Sequence, residues 1–255
     1  MDKDLQGIKD LLDFKAELYE RQEFIVNDPV SVPHQFSLKE DIEISAFLAA
    51  ILSWGQRKTI LSKSRQLMQL MDYDPYNFIM NASDSDLNVF KTFTHRTFNG
   101  IDCIFFIKSL KNIYIGQGGL ETLFKYTNTI GVRQAIIDFR RFFLAIPHPL
   151  RSEKHLPDPS SGSSAKRINM FLRWMVRQDS RGVDFGIWKS VSLSKLYCPL
   201  DIHSGHVARK LGLIKRNQND WLALEELMTI LRQFDPEDPV KYDFALFGLG
   251  IFEKF

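Results

Sequence analysis

Apolar side chains recur at spacings of three and four residues along most of the chain, and this period constrains the fold more than any other feature. It is clear from Leu5 to Phe24, and it is seen last from Val240 to about Phe252. The periodic segments are broken at turn signals such as Asp74-Pro75 and Asp235-Pro236. No alternating run is long enough to predict a strand. The pattern therefore predicts an all-α protein with about ten or more short helices.

The 255 residues fit either one compact helical unit, 1–255, or two helical lobes with a cleft between them. As a tentative division we expect one lobe over 38–180, a bundle that ends in the helix of Lys166. The other lobe would combine 1–37 with 181–255. Helix starts are predicted at a capping box formed by Ser37 and Glu40, and at Asn99 as an N-cap residue.

Several classes of protein are disfavoured by composition. No apolar run approaches the length that spans a bilayer, and the N-terminus lacks a signal pattern, so a cytoplasmic protein is expected. The two cysteines, Cys103 and Cys198, cannot supply a four-thiolate zinc or iron–sulfur site, and they suggest no disulfide framework. We therefore expect no cofactor.

Charge is distributed unevenly. The net charge is only +2, but residues 151–216 contain thirteen Lys or Arg and five Asp or Glu, an excess of +8. A face that binds a polyanion would have this asymmetry. A solvated basic surface without a ligand explains it equally well.

Two stretches carry the residues suited to chemistry. In Pro199–Leu213, Asp201 lies at the start of a short helix that also contains His203 and His206. In Ser160–Arg167, Lys166 follows a turn of small residues. Each has a simpler interpretation, since Asp201 can be an ordinary N-cap and Lys166 a solvated lysine. The two histidines could form half of a metal site, but no carboxylate or cysteine stands at a matching spacing, so we predict no metal.

These stretches resemble the helix-hairpin-helix DNA glycosylases, in which a Gly/Pro-rich hairpin is combined with an aspartate. In endonuclease III-like members the hairpin reads Leu-Pro-Gly-Val-Gly-x-Lys-Thr, and the aspartate lies in Val-Asp-Thr-His-Val-x-Arg-Val. Here Gly162 takes the place of the first hairpin glycine, four residues before Lys166, and Ser164 replaces the second. The spacing of 35 residues from Lys166 to Asp201 is similar to that of the archaeal 8-oxoguanine glycosylase branch. Over nearly its full length, the chain resembles a bacterial family of unknown function related to that branch.

The resemblance implies a DNA-repair enzyme that excises a damaged base, possibly an oxidised purine, from a flipped nucleotide. Lys166 would be the nucleophile that forms a Schiff base, which also allows strand cleavage by β-elimination, and Asp201 would be its electrostatic partner. Neighbouring cations and the helix start favour a reactive lysine. DNA contacts would come from the hairpin and the Asp201 helix, through Gly162, Ser163, Ser164, Arg167, His203, Arg209 and Lys210.

A base pocket or wedge is assigned to Gln56, Trp54 and Trp174, of which Gln56 stands near a Leu-Ser-x-Gln-like corner. The tryptophans are better suited to the core than to a pocket. Two other functions stay open. The degenerate hairpin favours a non-catalytic nucleic-acid-binding module on the same scaffold, and the basic face alone is compatible with a helical adaptor for an acidic protein.

Overall fold

The structure is a computed structural model that describes residues 3–255. Within that range the chain is predominantly helical, which confirms the all-α prediction. The α-helices are α1 Lys3–Tyr19, α2 Gln22–Val26, α3 Lys39–Leu52, α4 Arg57–Leu70, α5 Pro75–Asn81, α6 Gly100–Gln117, α7 Leu120–Phe124, α8 Thr127–Ile130, α9 Val132–Phe143, α10 Lys166–Val176, α11 Ile202–Lys210, α12 Trp221–Phe234 and α13 Tyr242–Ile251.

Short elements connect the α-helices. The two strands, β1 Thr94–His95 and β2 Phe98–Asn99, form a minimal antiparallel hairpin in which Thr94 pairs with Asn99. The 3-10 helices are Pro29–Ser31, Pro33–Gln35, Asp86–Phe90, Leu150–His155, Pro159–Ser161, Leu193–Lys195 and Pro239–Lys241. No helix within residues 3–255 is both long and apolar enough to cross a bilayer.

The chain divides into two compact units. The central unit is Ile25–Leu156, and the terminal unit combines the residues up to Phe24 with Pro157–Phe255. The predicted lobes divided the chain elsewhere, after residues 37 and 180. In the structure Lys166 and its helix belong to the terminal unit, because α10 shares its packing with elements from both ends of the chain.

The central unit is built around α3, in which every residue from Asp41 to Leu52 is buried. Aromatic rings pack on this helix. Phe47 lies 5.6 Å from Phe139 and 5.4 Å from Phe143, measured between ring centroids. Such a helix, apolar on all sides, is stable only inside a core.

Two predicted helix starts differ in outcome. Asn99 caps α6 through a capping box with Asp102, as predicted. The capping box of Ser37 and Glu40 was wrong, since Leu38 is the N-cap residue of α3 and forms no side-chain cap hydrogen bond. Helix α3 begins at Lys39 and packs on the 3-10 helices Pro29–Ser31 and Pro33–Gln35.

The terminal unit holds the candidate site. Its core contains Trp174, Trp188, Trp221 and Tyr242, all fully buried. Helix α13 packs on both α1 and α11, so the two ends of the chain meet in one unit. This packing fixes the backbone from which α10 and α11 present their first turns.

Candidate functional site

Helix α10 begins after a turn with two left-handed residues. Gly162 has φ +91° at the end of the 3-10 helix Pro159–Ser161, and Ala165 has φ +49° immediately before Lys166. For alanine this conformation costs about 1 kcal/mol, so the surroundings must hold it. Two hydrogen bonds do so: the Ser163 Oγ accepts from Ala165 N at 3.2 Å, and Asn169 Nδ2 donates to the Ser164 carbonyl at 2.9 Å. The turn therefore aims the first residue of α10 in a defined direction.

Helix α11 begins at a capping box. Asp201 Oδ1 accepts from Ser204 N at 2.9 Å, and the Asp201 N–H donates to Ser204 Oγ at 2.8 Å. The simpler interpretation of Asp201, an N-cap, is thus confirmed. The cap occupies Oδ1 and leaves Oδ2 for another partner.

Lys166 and Asp201 lie together. The distance from Lys166 Nζ to Asp201 Oδ2 is 3.1 Å. The Asp201 side chain is 15% exposed and that of Lys166 is 35% exposed, so the pair is partly shielded but open to solvent on the lysine side. Both residues stand at helix N-termini, where the backbone dipole favours negative charge on the carboxylate.

The Asp201 carboxylate is held in its ionised form. Burial alone would raise its pKa, but the charge of Lys166 and the hydrogen bonds from Ser204 outweigh burial and lower the pKa below the ordinary value. An ionised carboxylate beside a lysine can stabilise positive charge that develops on a bound reactant.

The sequence profile of one protein family, described as "Protein of unknown function (DUF2400)", matches residues 28–252. The chain belongs to this family. Both Lys166 and Asp201 lie within the matched range. Neither a search of curated proteins nor a search of solved structures gave a match.

A buried charge network continues from Lys166 along α10. Arg173, two turns further on, pairs with Asp184 at 3.3 Å and with Asp243 of α13. Burial raises the pKa of Asp243 to about 7, against the opposing charge of Arg173, and the negative charge of Asp201 adds to the increase. A carboxyl group that titrates near neutral pH therefore stands within electrostatic reach of the Lys166–Asp201 pair.

The end of α10 carries the densest ion pairs. The Arg177 guanidinium is 2.5 Å from Glu20, 2.8 Å from Asp238 and 3.2 Å from Asp184. These carboxylates belong to three separated parts of the chain. Arg177 therefore ties the N-terminal helix and the segment before α13 to α10, which keeps the backbone behind the candidate site rigid.

Two of the predicted DNA contacts are used inside the protein. Ser164 is buried, and its hydroxyl donates to the Leu200 carbonyl at 3.5 Å, so the side chain is not accessible to a DNA phosphate. Arg209 donates to the carbonyls of Arg216 and Gln218 and to the Asn219 side chain, which makes it a brace for the loop after α11. The assignment of Arg209 as a direct DNA contact is corrected on this ground, whereas a contact through the Ser164 backbone N–H stays a prediction.

The other predicted contacts remain accessible to different degrees. His203 and Lys210 are exposed on α11, and the Lys210 amine lies 5.3 Å from the centre of the Phe255 ring. Gly162 and Ser163 are partly buried. Arg167 is also partly buried, and burial lowers its pKa to about 10, so it remains charged at neutral pH.

The residues assigned to a base pocket belong to different units. Trp174 is fully buried in the core of the terminal unit, and its assignment to a pocket is corrected, because no face of its ring is open to a base. Trp54 and Gln56 belong to the central unit. There Trp54 is partly buried beneath the guanidinium of Arg96, 4.9 Å from the ring centre, and Gln56 is exposed at the start of α4.

Three residues near the pair were missed from the sequence. Ile202 is 79% exposed beside Asp201, Asn219 donates to the Asp201 carbonyl at 2.7 Å, and Asp243 carries the shifted pKa. An exposed isoleucine in the first turn of a helix has no signal in the sequence that distinguishes it from a core residue. Asn219 lies in a polar stretch that predicts only a turn. Among residues 3–255, no three or more His, Cys, Asp and Glu side chains are grouped to hold a metal ion.

The basic excess of residues 151–216 is largely compensated from elsewhere. Arg173 and Arg177 are buried and paired with carboxylates. Arg216 forms a bidentate ion pair with Asp220, with N–O distances of 2.6 to 2.8 Å. In the central unit, Arg151 binds the buried Asp102 at 2.8 Å. The exposed cations of the segment include Lys189, Lys195, Lys210 and Lys215. A polyanion would therefore meet a smaller basic surface than the charge count indicates.

Proposed function

We propose that the protein is a DNA glycosylase of the helix-hairpin-helix type that removes a damaged base through a lysine Schiff base. The observation that carries the proposal is the 3.1 Å separation between Lys166 Nζ and Asp201 Oδ2, with Asp201 Oδ1 held by its cap. The turn with left-handed residues at Gly162 and Ala165, which leads directly into the Lys166 helix, supports a hairpin assignment.

The proposed reaction uses the pair in sequence. The Lys166 ammonium gives a proton to solvent, and the neutral amine attacks C1′ of the deoxyribose. The new N–C1′ bond replaces the bond from C1′ to the base, and the departing base takes up a proton. The C1′–O4′ bond then opens, O4′ takes up a proton from the substituted ammonium, and a protonated imine is left on Lys166. Asp201, ionised because its pKa is low, stabilises the positive charge on the sugar carbon.

Recognition would depend on extrusion of the damaged nucleotide, since the sugar carbon of a stacked base is not accessible to the amine. Ile202 and His203 are exposed in the first turn of α11, next to Asp201, and Lys210 is exposed at its last residue. Lys210 is suited to bind a phosphate. Ile202 could insert its apolar side chain between base pairs that are unstacked where the nucleotide is extruded. The substrate class we propose is duplex DNA with a damaged base, with an oxidised purine as the first to test.

The test is borohydride trapping on oligonucleotides that carry different lesions. Borohydride reduces the imine to a stable secondary amine, so the wild-type protein should become covalently attached to DNA at Lys166. Lys166→Gln should give no adduct, whereas Lys189→Gln, at an exposed lysine of the same unit, should trap as wild type does. The absence of an adduct on every lesion, with salt-dependent DNA binding retained, would favour the non-catalytic binding module.

A further inference from the structure

A single short segment contacts both halves of the candidate site. At one end, Trp221 N donates to the Gly162 carbonyl at 2.9 Å, and Asp220 forms an isolated antiparallel bridge with Ser163. At Asn219, the side-chain Nδ2 donates to the Asp201 carbonyl at 2.7 Å. Residues 219–221 therefore join the turn that precedes Lys166 to the residue that begins α11.

The orientation of the Asn219 amide is set by Arg209. Arg209 Nη2 donates to Asn219 Oδ1 at 2.6 Å, so the opposite amide group, Nδ2, faces Asp201. Arg209 also donates to the carbonyls of Gln218 and Arg216, at 3.0 and 2.7 Å. The arginine thus fixes both the backbone of the loop and the direction in which the Asn219 donor points.

Gly205 makes room for this arrangement. A Cβ atom at position 205 would lie 2.5 Å from Asn219 Oδ1, 2.9 Å from Asn219 Nδ2 and 2.9 Å from an Arg209 guanidinium nitrogen. Because these side-chain ends are hydrogen-bonded to each other, they cannot move apart without loss of a bond. A glycine inside α11, which lowers helix propensity, is explained by this close approach.

We propose that Asn219 is a positioning residue that sets the register between Lys166 and Asp201. The inference rests on the proposed function in that the pair is taken as the reactive one. The turn before Lys166 is anchored at Gly162 and Ser163 by residues 220 and 221, and the Asp201 backbone is anchored by residue 219. Loss of the Asn219 donor frees the Asp201 backbone, while residues 220 and 221 still hold the turn at Gly162 and Ser163. The distance between Lys166 Nζ and the Asp201 carboxylate therefore changes.

Two substitutions at Asn219 separate the hydrogen bond from the volume of the side chain. Asn219→Ala removes both contacts. Asn219→Asp keeps the acceptor for Arg209 but replaces the donor with an oxygen that faces the Asp201 carbonyl. Gly205→Ala displaces the amide from the other side. The matched control is Asn217→Ala, which makes the same substitution at an exposed position two residues away.

The readout needs no DNA. Formaldehyde with cyanoborohydride methylates neutral amines, and mass spectrometry measures the rate at Lys166 over a range of pH. The ion pair with the Asp201 carboxylate at 3.1 Å occupies the Lys166 amine, so a change in their separation changes how readily the amine reacts. We expect Asn219→Ala, Asn219→Asp and Gly205→Ala to label Lys166 faster by about threefold or more at neutral pH, because the amine is held less closely by the carboxylate. Asn217→Ala should match the wild type.

The proposal is overturned if the folded Asn219→Ala and Asn219→Asp proteins label Lys166 at the rate and pH profile of Asn217→Ala, with circular dichroism used to establish that they are folded. Failure of the proposed function has a different signature. In that case the wild-type protein traps no lesion DNA, while the labelling difference at Lys166 persists. If both proposals hold, Asn219→Ala labels faster with formaldehyde but forms the DNA adduct more slowly.

Discussion

Asp201→Asn separates the two roles of this side chain. Asparagine is as good an N-cap as aspartate, so the bond from Ser204 N to the side-chain oxygen is kept and α11 should start at the same residue. The substitution removes only the negative charge opposite Lys166. Asp201→Ala, by contrast, removes both the cap and the charge.

The magnitudes follow from the geometry. At 3.1 Å the attraction between the two charges is about 5 kcal/mol for an effective dielectric constant of about 20. The lysine side chain is 35% exposed, so solvent screening and desolvation reduce the net contribution to about 1 kcal/mol. Loss of the cap costs about 1 kcal/mol more. The free energy of unfolding should therefore fall by about 1 kcal/mol in Asp201→Asn and by about 2 kcal/mol in Asp201→Ala.

Activity should not follow stability. Removal of a charge that stabilises a transition state costs about a hundredfold or more in rate, so both variants should trap lesion DNA at least that much more slowly than wild type. Urea denaturation at neutral pH gives the free energies of unfolding, and single-turnover borohydride trapping gives the rates. If Asp201→Asn traps at the wild-type rate, Asp201 is an N-cap without a role in chemistry, and the proposed mechanism is refuted.

Three further predictions test the surroundings of the site. Arg177→Met leaves buried carboxylates unpaired, so urea denaturation should show a loss of about 3–5 kcal/mol, whereas Lys189→Met at an exposed position should show little change. Asp243 has a pKa of about 7 in the folded protein, above its ordinary value, so its contribution to stability is full in acid and is lost as pH rises towards 7. Relative to Asp243→Asn, the free energy of unfolding of wild type should fall by roughly 1.4 kcal/mol per pH unit between about pH 5 and about pH 7, and equal slopes in the two proteins would contradict this. Lys210→Glu should weaken DNA binding and reduce the slope of log affinity against log salt by about one, without loss of stability. Arg209→Glu, by contrast, should lower the urea midpoint, because the Arg209 side chain is hydrogen-bonded to the loop after α11.

Features that depend on near neighbours in the chain were predictable. The helical period of apolar residues, the cap at Asn99 and the cap at Asp201 all follow from side chains within about one turn of each other. The capping box at Ser37 shows the limit of this logic. The pattern is present in the sequence, but Leu38, and not Ser37, is the N-cap residue of α3.

Features that depend on distant partners were not predictable. Arg173 and Arg177 contribute to the basic excess of their segment, yet their carboxylate partners Asp243 and Glu20 lie 70 and 157 residues away in the sequence. The sequence predicts only that Asn219 lies in a turn. The structure adds that its Nδ2 donates to the Asp201 carbonyl at 2.7 Å. The sequence alone determined that the chain is helical and that Asp201 begins a helix, because hydrogen bonds within a turn decide both. The pairing of Asp201 with Lys166 was expected only from the resemblance to the glycosylases. Only the tertiary structure decided which charges are neutralised in the interior, because long-range burial brings those groups together.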